Sequence, residues 1–185
     1  MIEDVQRDAE DRMKKAIEAL KRDLQTIRTG RATPALLDRV TVEYYGTPTP
    51  LNQLATVAAP EPRLLTIKPW DKGALQIIEK ALQKSEMGFN PSNDGQIIRI
   101  PIPALTEERR RDMVKMVKHK VEECRVAIRN VRRDVMHDLK EMENEKMISE
   151  DEHKRGNEKI DNLAQKYVQE ADHVGDAKEH EVLEV

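Results

Sequence analysis

Three stretches of the chain carry apolar residues at intervals of three and four, and they constrain the fold more than any other feature. They cover residues 2–29, residues 106–147 and the segment from Ser149 onward. This spacing places the apolar side chains of each stretch on one face of a helix, with a period close to that of a helical bundle. Because no such face is stable alone in water, we expect a long antiparallel three-helix bundle.

Local signals mark the ends of the first two helices. Gly30 follows the first stretch where a C-cap glycine is expected, and Pro34 discourages continuation. Thr106 can cap the second helix. If that helix reaches Met147, it has about 41 residues and a length of about 60 Å.

The third helix has a strong start and a weaker interior. Ser149, followed by Glu152 three residues later, forms a capping-box pattern. Gly156 and Gly175 lie inside the helix, where each glycine costs about 1 kcal/mol relative to alanine. The glycines therefore weaken the predicted helix, and the sequence does not decide whether its last ten residues are helical or frayed.

Residues 31–104 follow a different pattern. Residues 39–45 alternate and are rich in Val, Thr and Tyr, which predicts a strand, and residues 46–50 predict a turn or loop stiffened by two prolines. The other predicted elements are strands at residues 54–58, 63–68 and 96–102 and a helix from Asp71 to about Ser85. The segment is thus a small α+β domain.

The fold class that follows is α+β, with two domains. Residues 1–30 and 105–185 form the bundle, and residues 31–104 form the inserted domain. The two connections contain residues that set or permit a bend, so we expect a double hinge and an L- or V-shaped molecule. The predicted hinge residues are Gly30, Arg31, Pro101, Pro103 and Ala104.

The charges of the chain are unevenly distributed. The formal net charge is −3, but residues 105–133 hold ten Lys/Arg against five Asp/Glu, whereas residues 134–185 hold seven against sixteen. On a helical wheel four arginines of the second helix share one side, which we call the arginine ridge: Arg125, Arg129, Arg132 and Arg133. Lys115, Lys118 and Lys140 follow the same line, with Glu122 as an intruding acid. Such a ridge favours binding to phosphate, although a solvated face with paired charges is the common alternative.

The sequence offers no set of residues for catalysis. The five histidines have no metal-ligand spacing, and there is no glycine-rich phosphate loop or nucleophile elbow. The single cysteine, Cys124, lies on an apolar stripe and is expected in the core. No segment approaches the roughly 20 apolar residues that span a bilayer, and no signal peptide is evident. We therefore expect a monomeric cytoplasmic protein that is not an enzyme and binds no metal, cofactor or membrane.

Several motifs in order resemble the bacterial ribosome recycling factor family over essentially the whole chain. They are IRTGRATP (27–34), VEYYGTPTPL (42–51), NPSNDG (90–95), PIPALTEERRRD (101–112), RVAIRNVRRD (125–134) and KMISEDE (146–152). The resemblance implies an L-shaped α+β fold, a three-helix bundle with an inserted β/α/β domain. It also implies a factor that binds the post-termination ribosome across the aminoacyl and peptidyl sites of the large subunit. It implies that elongation factor G, by hydrolysing GTP, then separates the subunits and releases the ribosome from mRNA.

The resemblance also implies where ribosomal RNA is bound. The family's principal contact falls on Arg129, Arg132 and Arg133, with Arg132 as first choice, and Arg125 continues the ridge. Arg31 combines hinge and RNA contact. The inserted domain and hinge would meet elongation factor G. The alternatives are a helical adaptor protein without ribosome activity and an RNA-modifying or tRNA-handling enzyme.

Overall fold

The computed structural model describes residues 1–27, 29–85 and 88–184. Arg28 and Val185, which fall within the predicted bundle ranges, lie outside the described residues. The elements in chain order are α1 (Ile2–Gln25), β1 (Thr41–Tyr44), β2 (Thr47–Pro50), β3 (Ala55–Glu61), β4 (Leu64–Pro69), α2 (Leu75–Lys84), β5 (Ser92–Asn93), β6 (Ile98–Pro101), α3 (Glu107–Asn144) and α4 (Glu150–Glu184). The chain divides into a helical unit, which contains α1, α3 and α4, and a second unit, Thr29–Thr106. The predicted α+β class, a three-helix bundle with an inserted β/α/β domain, is confirmed.

The helical unit is an antiparallel bundle whose register can be read from contacts between helices. Arg12 Nη2 of α1 lies 2.9 Å from Asp134 Oδ2 of α3. The Tyr167 hydroxyl of α4 donates to Glu10 of α1 at 2.9 Å. Burial and this hydrogen bond raise the pKa of Tyr167 to about 12. The core is formed mainly by aliphatic side chains: Met13, Ile17, Leu20, Val117, Ile128, Leu139 and Ile160.

Helix α1 ends at Gln25, so the predicted end at Thr29 with Gly30 as its C-cap glycine is wrong. Thr26 closes the helix instead, because its hydroxyl donates to the Asp23 carbonyl at 2.6 Å. Gly30 has another role. Its φ is +74°, and a Cβ there would lie 2.6 Å from Leu105 Cγ, so only glycine fits both the backbone and the neighbour.

Helix α3 ends at Asn144, three residues before Met147. Lys146 takes φ +61°, and its N–H bonds to the Glu143 carbonyl at 2.9 Å while the Met147 N–H reaches the Met142 carbonyl at 2.8 Å. This is the hydrogen-bond pattern of a Schellman motif, with lysine where glycine is usual.

The predicted capping box at the start of α4 is confirmed. Ser149 Oγ accepts from the Glu152 N–H at 3.1 Å, and Glu152 Oε1 accepts from the Ser149 N–H at 3.3 Å. The four-residue pattern therefore satisfies two donors at the helix start, as the sequence indicated.

The end of α4, which the sequence did not decide, is helical in the structure. The helix continues to Glu184, and Val182 is fully buried near its end. Gly156 and Gly175 are both buried, and a Cβ at Gly156 would lie 3.1 Å from Leu139 Cδ1. At Gly175 a Cβ would come well inside 3.0 Å of Val121 Cγ2. The glycines therefore allow α3 to pack closely on α4 at these two points.

The second unit contains a four-stranded antiparallel sheet in the order β3-β4-β6-β5 and a two-stranded β1–β2 hairpin. Asp71 Oδ1 accepts from the Gly73 N–H at 3.0 Å and starts a short 3-10 turn that leads into α2. The Tyr44 hydroxyl donates to Asp71 at 3.1 Å, and this bond raises the pKa of Tyr44. The core of the unit combines helix and sheet: Val42, Leu65, Ile67, Ile78, Leu82, Ile98 and Ile100.

The prediction of a turn or loop over residues 46–50 is wrong in most of its length. Thr47–Pro50 forms strand β2, and Tyr44 pairs with Thr47 across a two-residue turn. Tyr45 and Gly46 have φ values of +49° and +77°, which are those of a type I′ hairpin turn.

The two connecting segments of the second unit both bond to the turn between β3 and β4. The Ala32 N–H donates to the Pro62 carbonyl at 2.7 Å, and the Ile102 N–H donates to the Arg63 carbonyl at 2.8 Å. Together with the Gly30–Leu105 approach, these bonds fix both segments against the sheet.

Candidate functional site

Helix α3 carries the arginine ridge beside its buried stripe. Cys124, Ile128, Val131 and Val135 are buried in the bundle, so the ridge residues between them lie at its border and on its surface. The helix is continuous over 38 residues, which places the four arginines on one rigid support. Cys124 is in the core, as predicted, and burial raises the pKa of its thiol to about 11.

Arg125 is held by acids of its own bundle. Its guanidinium bonds to Asp172 of α4 through both Nε and Nη2, and Nη1 lies 3.1 Å from Glu122. The side chain is 31% exposed. The hydrogen bonds to Asp172 and Glu122 raise the pKa of Arg125. This arginine therefore links α3 to α4, and an incoming phosphate would compete with two carboxylates.

Arg129 and Arg132 are more accessible, with 49% and 43% of their side chains exposed. Arg129 Nη1 lies 3.3 Å from Glu122 Oε1, and Arg132 Nε lies 3.4 Å from Asp161 Oδ1. Each has one carboxylate partner at a distance longer than a charge-assisted hydrogen bond. Exposed pairs of this kind contribute about 0–1 kcal/mol, so a phosphate can displace them.

Arg133 is exposed, and within the described part of the chain its side chain has neither an ion pair nor a hydrogen bond. The three lysines of the same line are all exposed: Lys115, Lys118 and Lys140. Lys140 Nζ lies 3.7 Å from Glu143 Oε2. The ridge thus changes along α3 from an internally paired end at Arg125 to an unpaired end at Arg133.

Arg31 and the predicted hinge residues belong to the second unit. Arg31, Pro103 and Ala104 are exposed, and Pro101 is the exposed last residue of β6. The structure groups the four α3 arginines along one helix, whereas Arg31 lies in the other unit.

Sequence reasoning missed the α4 carboxylates that face the ridge. The sequence pattern places Asp161 and Asp172 only within an acidic segment, yet they pair with Arg132 and Arg125. The signal that identifies them is the short α3–α4 connection. In an antiparallel pair, facing residues lie at roughly equal distances along the chain from that connection, and both pairs fit this rule.

No group of three or more His, Cys, Asp and Glu side chains within residues 1–27, 29–85 and 88–184 is arranged to hold a metal ion. Three exposed histidines pair with a glutamate one turn later on the same helix: His119, His137 and His180. His153 is largely buried and contacts Glu143 through Nδ1. None of the described helices is both long and apolar enough to cross a membrane.

Comparison with known proteins identifies the class to which this fold and charged helix belong. The curated ribosome-recycling factor of Carboxydothermus hydrogenoformans is 56% identical over 185 residues, and that of Thermomicrobium roseum is 55% identical, with all of both chains covered in each case. These relatives are translation factors. A family model described as ribosome recycling factor matches residues 20–183. The chain belongs to the ribosome recycling factor family, which confirms the resemblance seen in its motifs.

Solved structures agree with this assignment. A solution structure of the ribosome recycling factor covers 100% of this chain and 98% of its own, with 42% identity and a TM-score of 0.65. A second match is the T. thermophilus ribosome recycling factor, placed with E. coli elongation factor G on the E. coli post-termination complex. It is 46% identical, covers 99% of each chain and has a TM-score of 0.59.

Proposed function

We propose that this protein recycles ribosomes after translation termination. It binds the post-termination ribosome and, with elongation factor G and GTP, promotes separation of the subunits and release from mRNA. Family membership over the full chain supports this function, as does the relative that is placed with elongation factor G on a post-termination complex. The protein acts in the cytoplasm as a monomer. It hydrolyses nothing itself, because the GTP is consumed by elongation factor G.

The exposed arginines of the ridge carry the proposal for RNA binding. Arg129, Arg132 and Arg133 offer planar guanidinium groups that can bond two phosphate oxygens at once. Their present partners are weak or absent, whereas Arg125 is engaged with Asp172 and Glu122. We therefore assign the main phosphate contacts to the first three residues, with Arg132 first. Arg125 takes mainly a supporting role.

A rigid helix with several arginines suits the backbone of folded RNA. Such a helix can lie along phosphates and recognise the shape of the RNA, while aromatic residues for stacking are scarce in this chain. The proposed partner is therefore the large-subunit ribosomal RNA at the aminoacyl and peptidyl sites.

The division of labour between the two units is also part of the proposal. The helical unit anchors the protein on RNA, and the second unit, Thr29–Thr106, meets elongation factor G. The predicted hinge lies in the segments that contain Gly30 and Arg31, and Pro101, Pro103 and Ala104. Both segments are bonded to the β3–β4 turn of the second unit.

The test compares wild-type protein with Arg132→Ala in ribosome splitting, followed by light scattering with elongation factor G and GTP. Arg7→Ala is the matched control, because Arg7 is an exposed arginine of α1 that lies outside the ridge. We expect Arg132→Ala to bind ribosomes about tenfold more weakly and to split them more slowly. We also expect the slope of log affinity against log salt concentration to become shallower by about one, as for the loss of one phosphate contact.

Two results would contradict parts of the proposal. Equal activity of Arg132→Ala and Arg7→Ala would exclude Arg132 as the anchor and leave the function intact. Folded wild-type protein that does not split ribosomes would contradict the recycling function and favour the adaptor alternative.

A further inference from the structure

A cavity of about 320 Å³ opens between α3 and α4 beside the arginine ridge. Arg129 and Arg132 form its α3 side, and Ala164 and Val168 supply apolar surface from α4. Ala164 is buried, and its small side chain leaves room where a larger residue would close the gap between the helices. The volume lies at the lower end of the range for small-ligand pockets.

The polar groups around this cavity can form hydrogen bonds in both directions. Gln165 and Gln169 lie one helical turn apart and are exposed, and within the described residues their side-chain amides make no hydrogen bond. Each amide offers an acceptor oxygen and an N–H donor. Asp161 adds an acceptor at the Arg132 end.

Arg132 has a hydrogen-bond donor without a partner beside this cavity. Its Nε is buried and has no hydrogen-bond partner in the described structure, although Asp161 Oδ1 lies 3.4 Å away. A buried donor without a partner is costly, so an acceptor that reaches it is favoured. The cavity thus combines apolar surface, two cations and an unsatisfied N–H.

A second cavity lies between the same two helices, and it differs from the cavity beside Arg132 chiefly in the charge of its lining. It is larger, about 530 Å³, but its two cations face four carboxylates: Glu122, Asp172, Asp176 and Glu179. That surface repels phosphate. The cavity beside Arg132 has two cations and one carboxylate, so it alone of the two is complementary to a nucleotide.

We propose that the cavity beside Arg132 binds one unstacked nucleotide of the ribosomal RNA. The base enters between α3 and α4, and its phosphate lies on Arg129. Unstacked bases are commonly bound by guanidinium planes and by hydrogen bonds to their edges. This inference rests on the proposed function, because it requires that α3 lies on ribosomal RNA.

The hydrogen-bonding groups narrow the choice of base. A base edge with an N–H beside a carbonyl oxygen fits best, since Asp161 can accept from the N–H while Arg132 Nε or the Gln165 amide donates to the carbonyl. Guanine and uracil have such an edge. We therefore expect guanine or uracil in the cavity.

The test uses the full chain with Gln165→Leu and Gln169→Leu together. Leucine keeps the helix propensity and removes only the amides. Asn162→Leu is the matched control, because Asn162 is an exposed amide of α4 that does not line the cavity. Affinity for post-termination ribosomes is measured at several salt concentrations. The ribosomal RNA of each complex is probed with kethoxal for guanine and a carbodiimide for uracil.

We expect the double variant to bind about tenfold more weakly with an unchanged salt slope, because it loses base contacts and keeps its phosphate contacts. One guanine or uracil that wild-type protein and Asn162→Leu protect should become reactive again. Unchanged affinity and protection would overturn the proposal. Weaker binding without a change in any base would also overturn it, because the cavity would then contact protein. Wild-type protein that fails to bind ribosomes would refute the proposed function itself, and this inference with it.

Discussion

The close contact of Gly175 with Val121 predicts that alanine at position 175 destabilises the bundle, although alanine is the better helix former. In a helix interior, Gly→Ala contributes about 1 kcal/mol in favour of folding. Here the new Cβ would come well inside 3.0 Å of Val121 Cγ2, which is buried. Overpacking in a core costs about 1–3 kcal/mol, and valine is stiff at χ1, so the upper value applies. The net loss in the free energy of unfolding is therefore about 2 kcal/mol.

Gly156→Ala is the matched comparison. Its Cβ would lie 3.1 Å from Leu139 Cδ1, at the end of a more flexible side chain that can shift by a few tenths of an ångström. The packing cost and the gain in helix propensity, each about 1 kcal/mol, then nearly cancel. We expect the stability of this variant to stay close to that of the wild type.

Urea unfolding followed by far-ultraviolet circular dichroism measures both variants. A double-mutant cycle with Val121→Ala isolates the contact, because the combined variant should lose about 3 kcal/mol less than the sum of the single variants, which is the whole packing cost. The reasoning would be refuted if Gly175→Ala were as stable as the wild type, or if the cycle showed no coupling to Val121.

Three further predictions concern other parts of the fold. Gly30→Ala should destabilise the second unit by about 2 kcal/mol in thermal unfolding, because φ is +74° and Leu105 Cγ would lie 2.6 Å from the new Cβ. Gly46→Ala is the control, because φ is +77° but no atom lies within 4 Å, and it should cost about 1 kcal/mol. Equal losses for the two variants would contradict the role of Leu105. Ser149→Ala should cost about 1 kcal/mol in urea unfolding because it removes half of the capping box, and an unchanged midpoint would argue against that pair. Asp94 accepts N–H bonds from Ile97 and Gln96 and pairs with Arg99, which holds the pKa of its carboxyl well below the usual value. The contribution of Asp94 to the free energy of unfolding is therefore fully present above the ordinary pKa of about 3.9 and is lost as the pH falls from there. Asp94→Asn should make the free energy of unfolding less dependent on pH on the acid side. An unchanged pH dependence would exclude Asp94 as a cause of the acid destabilisation.

The helices could be predicted because their signals are local. The spacing of apolar residues and the Ser149–Glu152 capping box act within a few residues of the chain, and the structure shows each of them. Strand β2 could not be predicted in this way, since two prolines in four residues suggest a loop. Its structure depends on pairing with β1 and on Tyr45 at φ +49°, which is a costly conformation for a tyrosine.

The candidate site, like the fold, could be predicted from the sequence only in part. The periodicity places four arginines on one side of α3, but it says nothing about what lies opposite them. Whether an arginine is free depends on the register between α3 and α4, which pairs Arg125 with Asp172 and leaves Arg133 unpaired within the described chain. The same register places Gly175 against Val121, so the glycines that weaken an isolated helix are required in the bundle.

The two prolines of β2 have a consequence for how copies of this protein meet one another. Pro48 and Pro50 face Glu43 and Thr41, and since a proline nitrogen cannot donate, the N–H groups that bond to β1 belong to Thr47 and Thr49. The backbone nitrogens that point away from β1 belong to Pro48 and Pro50, which carry no hydrogen. The outer side of β2 therefore offers carbonyl acceptors without donors, and a strand from another molecule cannot extend the hairpin into a larger sheet. A hairpin closed to extension on this side helps a protein to remain dispersed at high concentration.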